Sequence, residues 1–339
     1  MLLITDENCL KHDPGRAHPE RPDRLRAALK GVGAVDVELL DEAITPRRAT
    51  IDELRLVHTQ DMIDLVASIA QYGGGRIDAD TGMSSESFDS ALLAAGSVLT
   101  AVEMLTDAEP SDNHINRSAY CVIRPPGHHA TVDTSMGFCL FNSVAVAAAS
   151  LASAGRKVAV VDIDAHHGNG TQDIFYHRDD VLYASIHQYP FYPGTGALTD
   201  HGRERGRGFT VNIPVPAGTT GDVALVALDE AIVPSVERFE PDWMVISAGY
   251  DGHQADPLAN LRYSAADYGD FVRRLLPLAS KSIVVLEGGY DLAGVESSSQ
   301  AVVAALLGID VKPETIGNES FGMEKVQVAI EHHYRFRAE

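Results

Sequence analysis

Two carboxylates and two imidazoles crowd into Val161-Asp162-Ile163-Asp164-Ala165-His166-His167-Gly168-Asn169-Gly170, directly after the apolar run Lys157-Val158-Ala159-Val160. Asp164 and His166 lie two residues apart, so on extended chain their side chains point to the same side and can bind one cation. Asp256, in the turn Gln254-Ala255-Asp256-Pro257, can supply a third donor. Two carboxylates and one imidazole leave a coordination position open, which is the arrangement of a catalytic metal site, and the donor set suits Zn²⁺ or Fe²⁺. The same residues at a strand end also fit a capped loop with satisfied polar groups, so the other clusters must decide.

Adjacent histidines in Arg124-Pro125-Pro126-Gly127-His128-His129 suit general acid–base work, because the Pro-Pro-Gly turn stiffens the backbone that carries both rings. A lone His-His pair is more often filler. Asp162 and Asn169, however, flank the metal-ligand candidates and can each orient one ring, which filler does not explain. In Glu287-Gly288-Gly289-Tyr290 two residues without Cβ allow a sharp turn and close approach, and Tyr290 can donate its hydroxyl to a polarised carbonyl. The plain alternative is a turn with a half-buried tyrosine.

These clusters need elements to bring them together. KVAVVDID, VLYASIH, FTVNIPV, DWMVISAG and SIVVLEGG read as strands, alternating with helical patterns at 171–176, from Asp222 and from Ser264. Such alternation predicts an α/β fold with a mostly parallel sheet and helices on both faces. Ligand crevices in open parallel sheets lie beyond the carboxyl ends of the strands, and Asp162/Asp164/His166, Ser185/His187, Gly249-Tyr250-Asp251 and Glu287 to Tyr290 all follow such ends. The N-terminal third carries helical spacing over 19–30, 51–70 and 85–105, with Ser84 or Ser85 as an N-cap. Segments 71–83, 107–117 and 190–208 read as loops, none as a domain boundary, so a single domain over 1–339 is expected.

Hydrophobic content of 45% and charged content of 22% are ordinary for a globular chain. No apolar run of membrane-spanning length and no secretory signal are apparent, which predicts a cytoplasmic protein. Three scattered cysteines read as reduced, buried thiols. The formal charge of −21 argues against nucleic-acid partners and mildly favours cationic ligands.

In order, HDPGRAHPERPDRL, RPPGHHA, MGFCLFNSVAVAA, VDIDAHHGNGTQDIFY, SIHQYPFYPGTG, ISAGYDGHQADPL and LEGGYDL resemble the histone deacetylase superfamily, which includes acetylpolyamine amidohydrolases. The resemblance runs from about His12 to Leu306. It implies the arginase–deacetylase fold, with a sheet of about eight strands. By motif, Asp164, His166 and Asp256 match the zinc ligands, His129 the general base and later acid, and His128 its electrostatic partner. Asp162 would pair with His128 and Asn169 with His129, while Tyr290 matches the oxyanion donor. Gly137 and Phe138 match the substrate tunnel, with Tyr192 on the facing wall. Asp80 falls near a rim position that binds substrate backbone, and Tyr263 where some members carry a rim gatekeeper. Asp162, the backbones of Asp164 and His166, Ser185 and the backbone of Ile186 match a structural potassium site. Arg21 matches a buried arginine behind the active site. His187 has no assigned role, and Asp251 is taken as an oriented loop residue.

The implied activity is metal-assisted hydrolysis of an acyl amide, on acetyl-lysine in peptides or proteins or on acetylpolyamines. Oligomeric state is left open. An arginase-like binuclear site would need a carboxylate where Gly168 stands. A non-catalytic acyl-lysine-binding module is the reading of another class, and the full set of catalytic positions speaks against it.

Overall fold

The computed structural model describes residues 1–35, 42–108, 113–310 and 320–338. Its strands are β1 (Leu2–Ile4), β2 (Gly74–Arg76), β3 (Gly82–Ser84), β4 (Ser118–Cys121), β5 (Val158–Asp162), β6 (Val181–Gln188), β7 (Thr210–Val215), β8 (Trp243–Ala248) and β9 (Lys281–Leu286). Seven of these form one sheet in the order β1-β4-β9-β8-β5-β6-β7. Every pairing within it is parallel. About eight strands, mostly parallel, were expected; the described residues hold seven, wholly parallel. The remaining pair, β2 and β3, bond to each other as an antiparallel hairpin inside the segment expected to be loop. Gly73 and Gly74, both at φ +96°, turn the chain into it.

The two-residue period of the strands sorts their side chains into two cores. Ala159, Val161, Leu182 and Ala184 face one apolar cluster, and Val158, Val160, Val181 and Tyr183 face the other. A sheet covered on both faces explains why β5 reads as an unbroken apolar run. Helices Asp23–Gly33, Ala265–Leu275 and Leu292–Leu307 contribute to the first core, and Gln60–Gln71, Ser87–Asp107 and Ser143–Ser153 to the second.

The pattern over 51–70 splits into Ile51–Leu54 and Gln60–Gln71, because Thr50 and Thr59 each cap a new start with a side-chain oxygen. Ser84 and Ser85 do not cap the next helix: it opens after Glu86, and the Ser87 hydroxyl accepts from the Ser84 N–H at 2.7 Å. That helix, Ser87–Asp107, has a mean hydropathy of 1.4 over its most apolar stretch and is long and apolar enough to cross a membrane, contrary to the sequence expectation. With 67% of that stretch buried inside the protein, it is placed as a core helix against Ser143–Ser153. Of the loop expected at 107–117, the central part lies outside the described residues, and His114–Arg117 forms a 3₁₀ turn. The outer strand β7 is covered by the helix Met323–Ala338, whose His333 Nε2–H donates to the Asn212 carbonyl at 2.9 Å. The carboxyl ends of β5, β8 and β9 stand side by side in mid-sheet, and there the polar clusters converge.

Candidate active site

Asp164 lies at the base of the crevice, fully buried, with its carboxylate held by backbone from two strand ends. Oδ1 accepts from the His166 N–H at 2.8 Å and Oδ2 from the Gly288 N–H at 2.9 Å. The approach requires residues without side chains: a Cβ on Gly249 would lie 1.7 Å from Asp164 Oδ2, and one on Gly288 would lie 2.2 Å from Asp251 Oδ2. Asp251 accepts from the Ala165 N–H at 2.7 Å and reaches His166 Nδ1 at 3.0 Å.

Asp164, His166 and Asp251 bring ligand atoms within 4.8 Å of one another. The set implied by resemblance shares two members with this group and differs in the third. Asp256 instead takes backbone N–H groups of Tyr290 at 2.6 Å, Asp291 at 3.1 Å and Leu258 at 2.9 Å. Burial and the charge of Asp251 push its carboxyl up to about 7, so the two carboxylates feel each other. Burial disfavours a charged His166, yet the Asp251 and Asp164 carboxylates outweigh it and hold that imidazole at about 10. Three mutually repelling carboxylates around one imidazole fit a bound divalent cation, which would relieve that repulsion.

The histidine pair enters from the loop after β4. His128 Nδ1 lies 3.0 Å from Asp162 Oδ2, and His129 Nδ1 lies 2.7 Å from Asn169 Oδ1, the pairing that the resemblance implied. The rings are 4.1 Å apart. Asn169 offers an oxygen, so His129 carries its proton on Nδ1 and leaves Nε2 as an acceptor. Burial and the neighbouring His128 and His166 hold His129 well below the ordinary histidine range. His128 goes the other way: burial opposes its charge, but Asp164 and Asp162 raise it well above that range. Two adjacent imidazoles are thus driven to opposite protonation states, which separates a base from a cation.

Glu287 was not singled out alone from the sequence, yet it fixes this turn. Its buried Oε2 accepts from the N–H groups of Gly127 at 2.6 Å and His128 at 3.1 Å. Burial pushes it up to about 7. Tyr290 follows on the same loop, and burial holds its phenol well above the usual tyrosine value, so it remains a donor. The arginine behind it is Arg24, not Arg21. Arg21 is 49% exposed and lies 3.9 Å from Asp23, because it sits ahead of the first turn of its helix. Arg24 is fully buried, donates to the carbonyls of Gly289 and Glu287 and to Glu20 at 3.0 Å, and lies 4.9 Å from the Tyr290 ring centre. The signal was available in HPERPDRL, where only the second arginine falls on the inward face of the helix.

Gly137 and Phe138, both with positive φ, pack beside His129 and Tyr290. A Cβ on Gly137 would lie 2.5 Å from the His129 ring. The Phe138 ring stands edge-on to Tyr290 at 5.6 Å, and Tyr192 edge-on to His129 at 5.2 Å. Phe191 stacks on His166 at 5.0 Å. Asp80 is half-buried at the mouth, where its carbonyl accepts from His18 Nε2 at 2.8 Å and its charge acts on the Tyr192 phenol. Tyr263 is not on the rim: it is 1% exposed and packed against Tyr268 and Phe271, since the chain turns it beneath Gly252. Asp162 and Ser185 are direct neighbours across β5 and β6, with Ile186 buried beside them. His187 links Ser185, at 2.9 Å, to the Gly196 carbonyl, at 2.9 Å, tying that strand end to the loop bearing Tyr192.

Ordered histidines beside a carboxylate cluster and a buried phenol are the equipment of an amide hydrolase. The family model described as the histone deacetylase domain matches residues 18–306, and the chain belongs to that family of deacetylases. It is 37% identical over 319 residues to the "Probable deacetylase" of Archaeoglobus fulgidus, covering 91% of this chain and 87% of that protein. It is 39% identical to histone deacetylase 15 of Arabidopsis thaliana, over 91% of this chain but only 55% of the plant protein. The histone deacetylase-like amidohydrolase of Pseudomonas aeruginosa is 36% identical, covering 86% of this chain and 76% of that protein. The crystal structure of the HDA15 HD domain superposes with a TM-score of 0.90 at 36% identity, covering 99% of this chain and 96% of that one.

Proposed function

We propose that this chain, acting as a single domain over residues 1–339, is a zinc-dependent amidohydrolase that releases acetyl or longer acyl groups from Nε of lysine in peptides or proteins. The observation that carries the reading is the pair of oriented imidazoles, His128 on Asp162 and His129 on Asn169, beside the Asp164–His166 cluster. Asp164, His166 and Asp256 are assigned as holding the ion. His166 and Asp256 keep 9% and 7% exposure while Asp164 and Asp251 are fully buried, so the motif ISAGYDGHQADPL, rather than exposure, supports Asp256 as the third ligand. Bound there, a zinc ion supplies Lewis acidity to the acyl carbonyl and brings the attacking water's pKa toward neutrality. Ferrous iron suits the same donors.

His129 Nε2 takes the proton of the attacking water and returns it to the leaving amine. His128, held cationic, stabilises the negative charge that develops, and Tyr290 donates its phenol to the oxyanion. A structural potassium ion is assigned to Asp162, the backbones of Asp164 and His166, Ser185 and the backbone of Ile186; the direct register of Asp162 and Ser185 supports it. Buried free thiols at Cys9, Cys121 and Cys139 support a cytoplasmic location.

The short β2–β3 hairpin beside the mouth supports access for a peptide-borne side chain. Asp78 and Asp80 near Tyr192 favour a second substrate class, acetylpolyamines, through their charge. Kinetics on one zinc-defined preparation decide between them: the proposal expects kcat/KM to be highest on an acetyl-lysine or longer acyl-lysine peptide, and a preference for acetylspermidine would replace it with the second reading. Binding of acetyl-lysine peptide without turnover would indicate a non-catalytic module.

A further inference from the structure

The opposite end of the sheet holds a cavity of about 390 Å³. Lys157 directly precedes β5, Leu182 is the second residue of β6 and Thr210 opens β7, so the cavity lies at the amino ends of the strands. Along β5 that is about 17 Å from the catalytic end, at ~3.3 Å per residue. Its walls are Phe209, Phe239 and Phe336, and its mouth carries Lys157, Arg207 and Arg238. Lys157 Nζ donates to the Phe239 carbonyl at 3.1 Å, and the Arg207 guanidinium lies 5.6 Å from the Phe336 ring centre.

Among the described residues, none of these three cations forms an ion pair; the carboxylate on the lining, Asp179, is already paired to Arg205 at 2.7 Å. In a chain of net charge −21, this lining carries three cations, none of them ion-paired among the described residues, against one carboxylate, Asp179. The size is that of a small-molecule pocket, and the lining combines an apolar body site with a cationic entrance.

We infer that this cavity binds a medium-chain aliphatic carboxylate, its chain among the three phenylalanines and its carboxylate between Arg207, Arg238 and Lys157. The inference rests on this cavity alone and not on the assignment of the active site. The test is calorimetric titration of the metal-loaded full chain with octanoate, octylamine and octan-1-ol, each in wild type and in R207Q/R238Q.

Octanoate is expected to bind at one equivalent and more tightly than octan-1-ol, and octylamine is expected not to bind. The double variant should bind octanoate at least about tenfold more weakly, the loss of ~1.4 kcal/mol that removing two mouth charges implies. It should hydrolyse acyl amide at the wild-type rate, and R207K/R238K should restore octanoate binding. Equal octanoate affinity in wild type and R207Q/R238Q would place any bound octanoate elsewhere, the catalytic tunnel included, and overturn the inference. So would absence of octanoate binding, or equal binding of octylamine.

Discussion

Tyr290 stands edge-on to Phe138 at 5.6 Å, and its phenol is kept protonated by burial. Tyr290→Phe is expected to lower kcat by ~100-fold or more, as deletion of one oxyanion donor does, without changing the bound metal measured by elemental analysis. The third metal ligand is open to the same kind of separation. Asp256→Asn should abolish stoichiometric zinc binding, while Asp251→Asn, which loosens His166, should weaken it about 10–100-fold; the reverse order would exchange their roles. Gly168 sharpens the contrast with a two-metal site, since a Cβ there would lie 2.1 Å from Asp162 Oδ2. A carboxylate at 168 is therefore excluded by the His128–Asp162 pair, a reason the sequence only hinted at. Residue types and spacing made Asp162, Asp164, His166, His128, His129 and Asn169 legible. Glu287 and Asp251 were less so, because their roles rest largely on bonds to backbone that no side-chain pattern displays, whereas Arg24 could have been found from the inward face of its helix.

At the scale of elements, the catalytic turn is braced from outside by His58. Its Nδ1–H donates to the Thr131 carbonyl at 2.8 Å and its Nε2 accepts from the Asn142 N–H at 2.9 Å, so only the neutral ring satisfies both. Burial holds this histidine at about 4, below its unfolded value of 6.5. A depressed histidine contributes stability that is present above pH 6.5 and lost as pH falls toward 4. The linkage amounts to ~3 kcal/mol across that window. Thermal melting from pH 7.5 to 4 should show the midpoint falling below pH 6.5, and His58→Gln should flatten that part of the slope at lower overall stability. Strands β5 to β9 were readable because they are apolar runs bounded by turns. The strands β1 and β4 were not, since three or four residues give no period, and the β2–β3 hairpin hid among glycines whose positive φ marks a turn but not the pairing of the strands around it.

For the whole molecule, the sheet places two unlike sites at its two ends: an acidic, imidazole-bearing crevice at the carboxyl ends and a cationic aromatic cavity at the amino ends. The first was foreshadowed by motifs in sequence order. The second is assembled from separated segments with no motif, so only the fold brings it together. The central claim is that the crevice hydrolyses an acyl amide with one metal ion held by Asp164, His166 and Asp256. Its most direct test is turnover of an acetyl-lysine peptide by chelator-stripped protein during titration with zinc. The account predicts negligible turnover without metal and a rise that saturates at one ion per chain, absent in His166→Ala. Full turnover in the stripped protein, or a requirement for two ions per chain, would contradict it.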